Sequence, residues 1–133
     1  MNYTVFISHS SQDTWVAQQI RKQIEKTGAH TFLDKGHILA GDDFEDKIFK
    51  ALQDADEMLV LLTPKAITRE YIWSEIGAAR VREIRIVSIL YGLETADLVN
   101  KPILTRTDFI QINQDIDRYF EQLQTRVEQK LRP

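Results

Sequence analysis

Six consecutive residues, Met58-Leu-Val-Leu-Leu-Thr63, constrain this chain more than any others. The run carries neither the two-residue alternation of a strand with one wet face nor the 3.6-residue period of an amphipathic helix, so it reads as a strand covered on both sides. Such a strand lies at the middle of a sheet with helices packed above and below it. The apolar stretch Met58–Leu62 is far short of the roughly 20 residues that span a bilayer.

The segments around it alternate between strand and helix patterns. Residues 3–8 (Tyr-Thr-Val-Phe-Ile-Ser) are aromatic and β-branched, and beyond a polar cluster Trp15, Val16, Ile20 and Ile24 follow at helical spacing. Ser10 or Asp13 is placed to cap that helix and Gly28 to end it in the left-handed conformation. A short strand, His30-Thr-Phe-Leu-Asp34, and a polar stretch from Lys35 to Asp43 lead to a second helix. Its apolar face is Phe44, Ile48, Ala51, Leu52 and Ala55, with Asp42 or Asp43 as cap. After Pro64 a third helix is expected from about Thr68 to Arg82, a fourth strand over Ile84–Tyr91 closed by Gly92, a fifth over Asp108–Ile112, and a last helix marked by Ile116, Tyr119, Phe120, Leu123, Val127 and Leu131. Right-handed crossovers leave few ways to join such elements. The expected fold is therefore α/β and flavodoxin-like: a three-layer domain with a five-stranded, mainly parallel sheet in the order 2-1-3-4-5 and helices on both faces, with residues 1–133 as one domain.

Composition narrows the function classes. Seventeen basic against 20 acidic residues give a net charge of -3, so nothing favours a nucleic-acid surface. The absence of cysteine removes disulfides, thiol nucleophiles and thiolate metal sites. No charged start followed by a long apolar stretch marks a signal peptide, and the expectation is a cytoplasmic protein with no membrane segment.

In open α/β sheets ligands bind beyond the carboxyl ends of the strands where the order reverses, here between the first and third. That rule selects Ser8 to Asp13, Asp34 to Asp43, and the chain from Thr63 into the third helix. On that helix Glu75 lies about 60° from Ile72 and about 40° from Ala79, at the margin of the apolar face. A carboxylate there is either a surface or salt-bridge group or part of a site. Tyr71 stands one turn earlier on the same side, and Gly77, Ala78 and Ala79 keep the following turns small. Carboxylate plus aromatic ring suits a nucleoside, since ribose hydroxyls donate to the one and a base stacks on the other. Ser8, Ser10 and Ser11 are open to two readings, an anion-facing loop ahead of a helix N-terminus or plain capping.

Other chemistries lack their signatures. No P-loop and no dinucleotide-binding glycine pattern occurs, nor a Gly-x-Ser-x-Gly elbow. A phosphorylated receiver needs aspartate at the end of the third strand, where this chain has Thr63-Pro64, and its Asp34 ends the second strand instead. His9, His30 and His37 lack metal-ligand spacing, so no metal is expected.

Val5-Phe-Ile-Ser-His-Ser-Ser11, Thr31-Phe-Leu-Asp34 with Ala40-Gly-Asp-Asp-Phe-Glu-Asp-Lys-Ile48, and Tyr71-Ile-Trp-Ser-Glu75 together resemble the Toll/interleukin-1 receptor (TIR) domain family over essentially the whole chain, and its bacterial NAD-cleaving members in particular. The resemblance implies that Glu75 is the catalytic glutamate of the third helix. The aromatic four residues before it, typically tryptophan in the family, is Tyr71 here, while Trp73 packs elsewhere. It further implies that Ser8, His9, Ser10 and Ser11 border the nicotinamide ribose and phosphates, that Asp34, Gly41 and Phe44 belong to the substrate-binding region, and that Gly41 to Phe44 form part of the so-called BB loop. The implied activity is NAD+ glycohydrolysis, giving nicotinamide and ADP-ribose or a cyclic ADP-ribose isomer, with NAD+ as substrate and no further cofactor. The implied setting is bacterial immune (anti-phage) signalling, with homotypic TIR–TIR association through the BB loop and a fused or separate sensor domain. The alternative within the family is a non-catalytic adaptor that works by self-association alone.

Overall fold

The computed structural model describes residues 2–33, 42–98, 100–101 and 108–131 and, of residues 42–47, the backbone alone. Its elements are β1 (Thr4–Ser8), α1 (Thr14–Lys26), β2 (His30–Leu33), α2 (Asp42–Asp54), β3 (Glu57–Leu62), α3 (Glu70–Val81), β4 (Arg85–Leu90), β5 (Asp108–Gln111) and α4 (Ile116–Leu131). Short 3-10 turns at Ser11–Asp13, Ala66–Thr68 and Thr95–Leu98 join them. The five strands lie in the order β2-β1-β3-β4-β5 and every neighbouring pair is parallel.

β3 is the middle strand, as its apolar run requires, and all six of its residues are buried. Met58, Val60 and Leu62 face one core, with Phe6, Ile86 and Leu90 beside them and Leu52, Ile72, Ile76 and Ala79 from α2 and α3 above. Leu59 and Leu61 face the other, with Val5, Ile7, Val87 and Ile89 beside them and Ala17, Ile20, Ile24, Leu123 and Val127 from α1 and α4. Burying each such aliphatic side chain contributes about 1.5–3 kcal/mol. The continuous run thus supplies two cores at once, and the three-layer fold follows from it.

Gly28 and Gly92 adopt φ values of +96° and +79°. They let α1 and β4 end in turns that a side chain would strain.

Three expectations are corrected. Trp15 is 74% exposed, because it stands five residues, about 140° of helix, from Ile20 and so points off the buried face. The small Ala17 takes its place in the core. Leu131, at the end of α4, is 51% exposed where its period had placed it inside. Thr68 belongs to a 3-10 turn, and α3 starts at Glu70 because Arg69 is extended, with φ -97° and ψ 117°. Asp34, Gly41 and the side chain of Phe44 lie outside the described residues, as do the side chains of the expected caps Asp42 and Asp43.

Candidate functional site

β1 and β3 are neighbours, with Ser8 opposite Val60, while the chain leaves them toward opposite sides of the sheet. Their carboxyl ends therefore open a crevice, and three connections meet there. The first is Ser8-His-Ser10, running from β1 into the 3-10 turn; all three residues are fully buried. Thr63, just past β3, supplies the second. Its hydroxyl donates to Asp13 Oδ2 at 2.6 Å and accepts the Ala66 N–H at 3.0 Å, which pins the turn after β3 to the turn after β1.

The third is α3. Glu75, on its inner side, is 3% exposed, and the Ser8 hydroxyl donates to its Oε1 at 2.6 Å. That separation is at the short end of hydroxyl–oxygen hydrogen bonds. One turn earlier, the Tyr71 hydroxyl donates to the backbone carbonyl of His9 at 2.8 Å. Helix geometry places residues i and i+4 one above the other, so Tyr71 and Glu75 reach consecutive residues, His9 and the last residue of β1, Ser8. Trp73 is turned away: its indole N–H donates to the Ile67 carbonyl at 2.9 Å and the Lys101 ammonium lies 4.8 Å from its ring centre.

Of the residues singled out from the sequence, Ser8, His9, Tyr71 and Glu75 thus come together. Ser10 caps the 3-10 turn that precedes α1, accepting the Gln12 N–H at 3.3 Å, rather than α1 itself. Asp13 makes no capping bond to α1, its carboxylate being taken by Thr63. Ser11 is exposed, and its carbonyl accepts the Thr14 hydroxyl at 2.8 Å. The His9 ring reaches Thr14 Oγ1 at 3.3 Å through Nε2. A hollow of about 280 Å³ lined by Asp13, Thr63, Pro64, Lys65, Tyr91 and Gly92 opens beside the same strand ends. Among the described residues no three His, Asp or Glu side chains are grouped to hold a metal ion, and no helix is long and apolar enough to cross a membrane.

The structure also contains a polar cluster that the sequence reading missed. Glu57 begins β3 at the amino end of the sheet and is fully buried. The Tyr3 hydroxyl and Arg126 Nε donate to its Oε1, and the Tyr119 hydroxyl and Arg126 Nη2 donate to its Oε2. Beside it Lys130 Nζ lies 2.7 Å from Asp56 Oδ1, while Asp56 Oδ2 accepts the Thr4 N–H. Burial first, and then the neighbouring Glu57 charge, push both phenols well above their ordinary pKa. Burial works against the Arg126 cation, but the Glu57 hydrogen bond and charge outweigh it and raise the guanidinium. The only local signal was alternation, which puts Glu57 on the same face as Leu59 and Leu61.

A family model described as TIR domain matches residues 5–126. A curated protein of Brachypodium distachyon, the probable 2' cyclic ADP-D-ribose synthase BdTIR, is 24% identical over 119 residues, which make up 88% of this chain and 53% of that protein. The chain therefore spans about half the length of this relative. The TIR domain of the Toll-related receptor TRR-2 from Hydra magnipapillata superposes with a TM-score of 0.70 at 20% identity, covering 94% of this chain and 97% of that one. The CMP N-glycosidase BcmB of Clostridium botulinum superposes with a TM-score of 0.65 at 16% identity, covering 92% and 98%. At these identities both likenesses concern the fold.

Proposed function

Because this chain belongs to the TIR domain family, we propose that it cleaves the nicotinamide–ribose bond of NAD+ and that Glu75 is the catalytic residue. The observation that carries this reading is the buried Glu75 carboxyl holding the Ser8 hydroxyl at 2.6 Å, beside the carboxyl ends of β1 and β3. A group that holds one hydroxyl in a dry crevice can hold those of a ribose. The relative named as a probable cyclic ADP-ribose synthase supports the same substrate.

The chemistry asks little of the protein. The nicotinamide of NAD+ is already cationic, so the bond from C1' to the ring nitrogen breaks with its electron pair moving to that nitrogen, and no general acid is required. Positive charge develops on the ribose as an oxocarbenium ion. Glu75 accepts the ribose hydroxyls and stabilises that charge where water does not screen it. Its contribution is made in the transition state. Attack by water at C1', with loss of a proton, gives ADP-ribose; attack by a hydroxyl or ring nitrogen of the same molecule gives a cyclic isomer. The family resemblance extends the proposal to a cytoplasmic role in immune signalling and to an assembly in which the BB loop of one protomer borders the site of the next.

The test is a time course of NAD+ loss, with nicotinamide and each ADP-ribose isomer quantified, over a series of protein concentrations. Nicotinamide release should rise faster than linearly with concentration. Glu75→Gln should lower it by about 100-fold or more, the scale of losing a main electrostatic contributor to a transition state. Untouched NAD+ at high concentrations of folded protein would instead support the adaptor reading, and full turnover by the variant would remove Glu75 from the mechanism.

A further inference from the structure

Tyr71 entered as an aromatic wall, a ring beside a nucleoside. Its hydrogen bond gives it a second task. The hydroxyl donates to the His9 carbonyl at 2.8 Å, across 62 residues of sequence, and one turn along α3 Glu75 accepts the hydroxyl of Ser8 at 2.6 Å. The helix thus grips two adjacent residues, Ser8 at the end of β1 through its side chain and His9, the first residue beyond the strand, through its backbone. The pairing of Ser8 with Val60 and the Thr63–Asp13 bond hold the two ends of this segment, and the two contacts to α3, a helical turn apart, add a constraint on its distance and tilt in between.

The two contacts differ in what happens to them during the reaction proposed above. When ribose hydroxyls approach Glu75 they compete with Ser8 for the carboxyl, so the Ser8 contact is the one that yields. The His9 carbonyl accepts from the Tyr71 hydroxyl and takes no part in the bond to the carboxyl, so a ribose hydroxyl that displaces Ser8 leaves the Tyr71 contact in place. We propose that Tyr71 is a positioning residue whose hydroxyl holds the Ser8–Ser10 loop in register with Glu75 while the carboxyl exchanges the Ser8 hydroxyl for those of the substrate ribose. The inference rests on the NAD-cleaving reading for its use in catalysis; the tether itself does not.

Tyr71→Phe separates the two tasks, because it keeps the ring and removes the hydroxyl. Two measurements are paired. Amide hydrogen exchange should become faster at His9, Ser10 and Ser11 in the variant while amides of the central strand β3 keep their protection. Unchanged exchange in the loop would overturn the tether. In the turnover assay kcat should fall by about 3- to 10-fold, the range set by one neutral hydrogen bond, with KM within roughly 2-fold because the ring remains. Wild-type kcat in a variant whose loop exchange has risen would overturn the positioning role and return Tyr71 to a wall alone.

A double-mutant cycle with Ser8→Ala sharpens this. If both contacts act through the same loop, the effect of Tyr71→Phe on kcat differs in the Ser8→Ala background; strictly multiplicative effects would count against a shared loop. A wild-type protein that leaves NAD+ intact, but whose loop loosens on losing the Tyr71 hydroxyl, would reject the enzymatic reading and with it the catalytic use of the tether, and keep the tether as a structural feature. The two failures are therefore distinguishable.

Discussion

Two buried glutamates sit at opposite ends of one sheet. Glu57 opens β3 at the amino end and is fully buried, and Glu75 reaches the carboxyl end of β1 from α3 and is 3% exposed. Burial penalises a carboxylate unless donors replace the water it loses. At Glu57 they come from a guanidinium and two phenols carried by the strip before β1 and by α4, large groups packed into place. At Glu75 one donor is the Ser8 hydroxyl, a small neutral group of the same kind a ribose offers. One arrangement locks the last helix onto the sheet; under the proposed function the other exchanges a protein donor for a ligand's. The rule that α/β sheets bind ligands at the carboxyl ends of their strands assigns the same roles to the two ends.

Matched substitutions break the comparison if it is wrong. Glu75→Gln should lower turnover by about 100-fold or more while shifting the unfolding midpoint little, because the amide oxygen still accepts from Ser8. Glu57→Gln should do the reverse. It leaves the Arg126 guanidinium without its counter-charge, and losing one member of a buried pair costs about 3–5 kcal/mol. The turnover of whatever remains folded should be near that of the wild type. Denaturant melts and turnover normalised to folded protein check both, and a Glu57 variant that loses activity in the folded state would show that the two ends are coupled.

How much of this was legible in the sequence depends on how local the signal was. The β3 run announced a two-faced central strand, and the alternation around it led to the observed strand order. Glu75 was legible as a margin residue because its helical neighbours Ile72 and Ala79 are close in sequence. Its partner Ser8 lies 67 residues away, so topology could bring the two segments to one edge without showing the hydrogen bond. The tyrosine ring at residue 71 was predicted, but its hydroxyl contact was not, since the acceptor is a backbone carbonyl that no side-chain pattern reveals. Glu57 was missed outright: its donors lie 54 to 69 residues away, and a charged residue before an apolar run looks like a solvated flank. Trp15 was misplaced because an apolar pattern was extended into the first turn of α1, where the face had already rotated away.

The smallest effect expected concerns the phenols around Glu57, and it sets a pH dependence for the amino end of the sheet. Tyr3 and Tyr119 have their pKa raised above the ordinary 10.0 by burial and then by the Glu57 charge. Below pH 10 both are neutral in the folded and unfolded chain, and their contribution to stability is fully present. Above it the unfolded chain releases protons that the folded chain retains, so stability falls as pH rises toward the folded-state values. Tyrosinate absorbance and circular dichroism followed together from pH 9 upward should therefore show these two phenols ionising only as the fold is lost. Tyr119→Phe should remove one donor from Glu57, lower stability at pH 7 by about 1–3 kcal/mol, and flatten the alkaline slope, because the group that linked proton release to unfolding is gone. A wild-type protein whose Tyr3 and Tyr119 ionise near pH 10 with the fold intact would mean that water already reaches Glu57, and the contrast between a sealed end of the sheet and an exchanging one would fail at its simplest point.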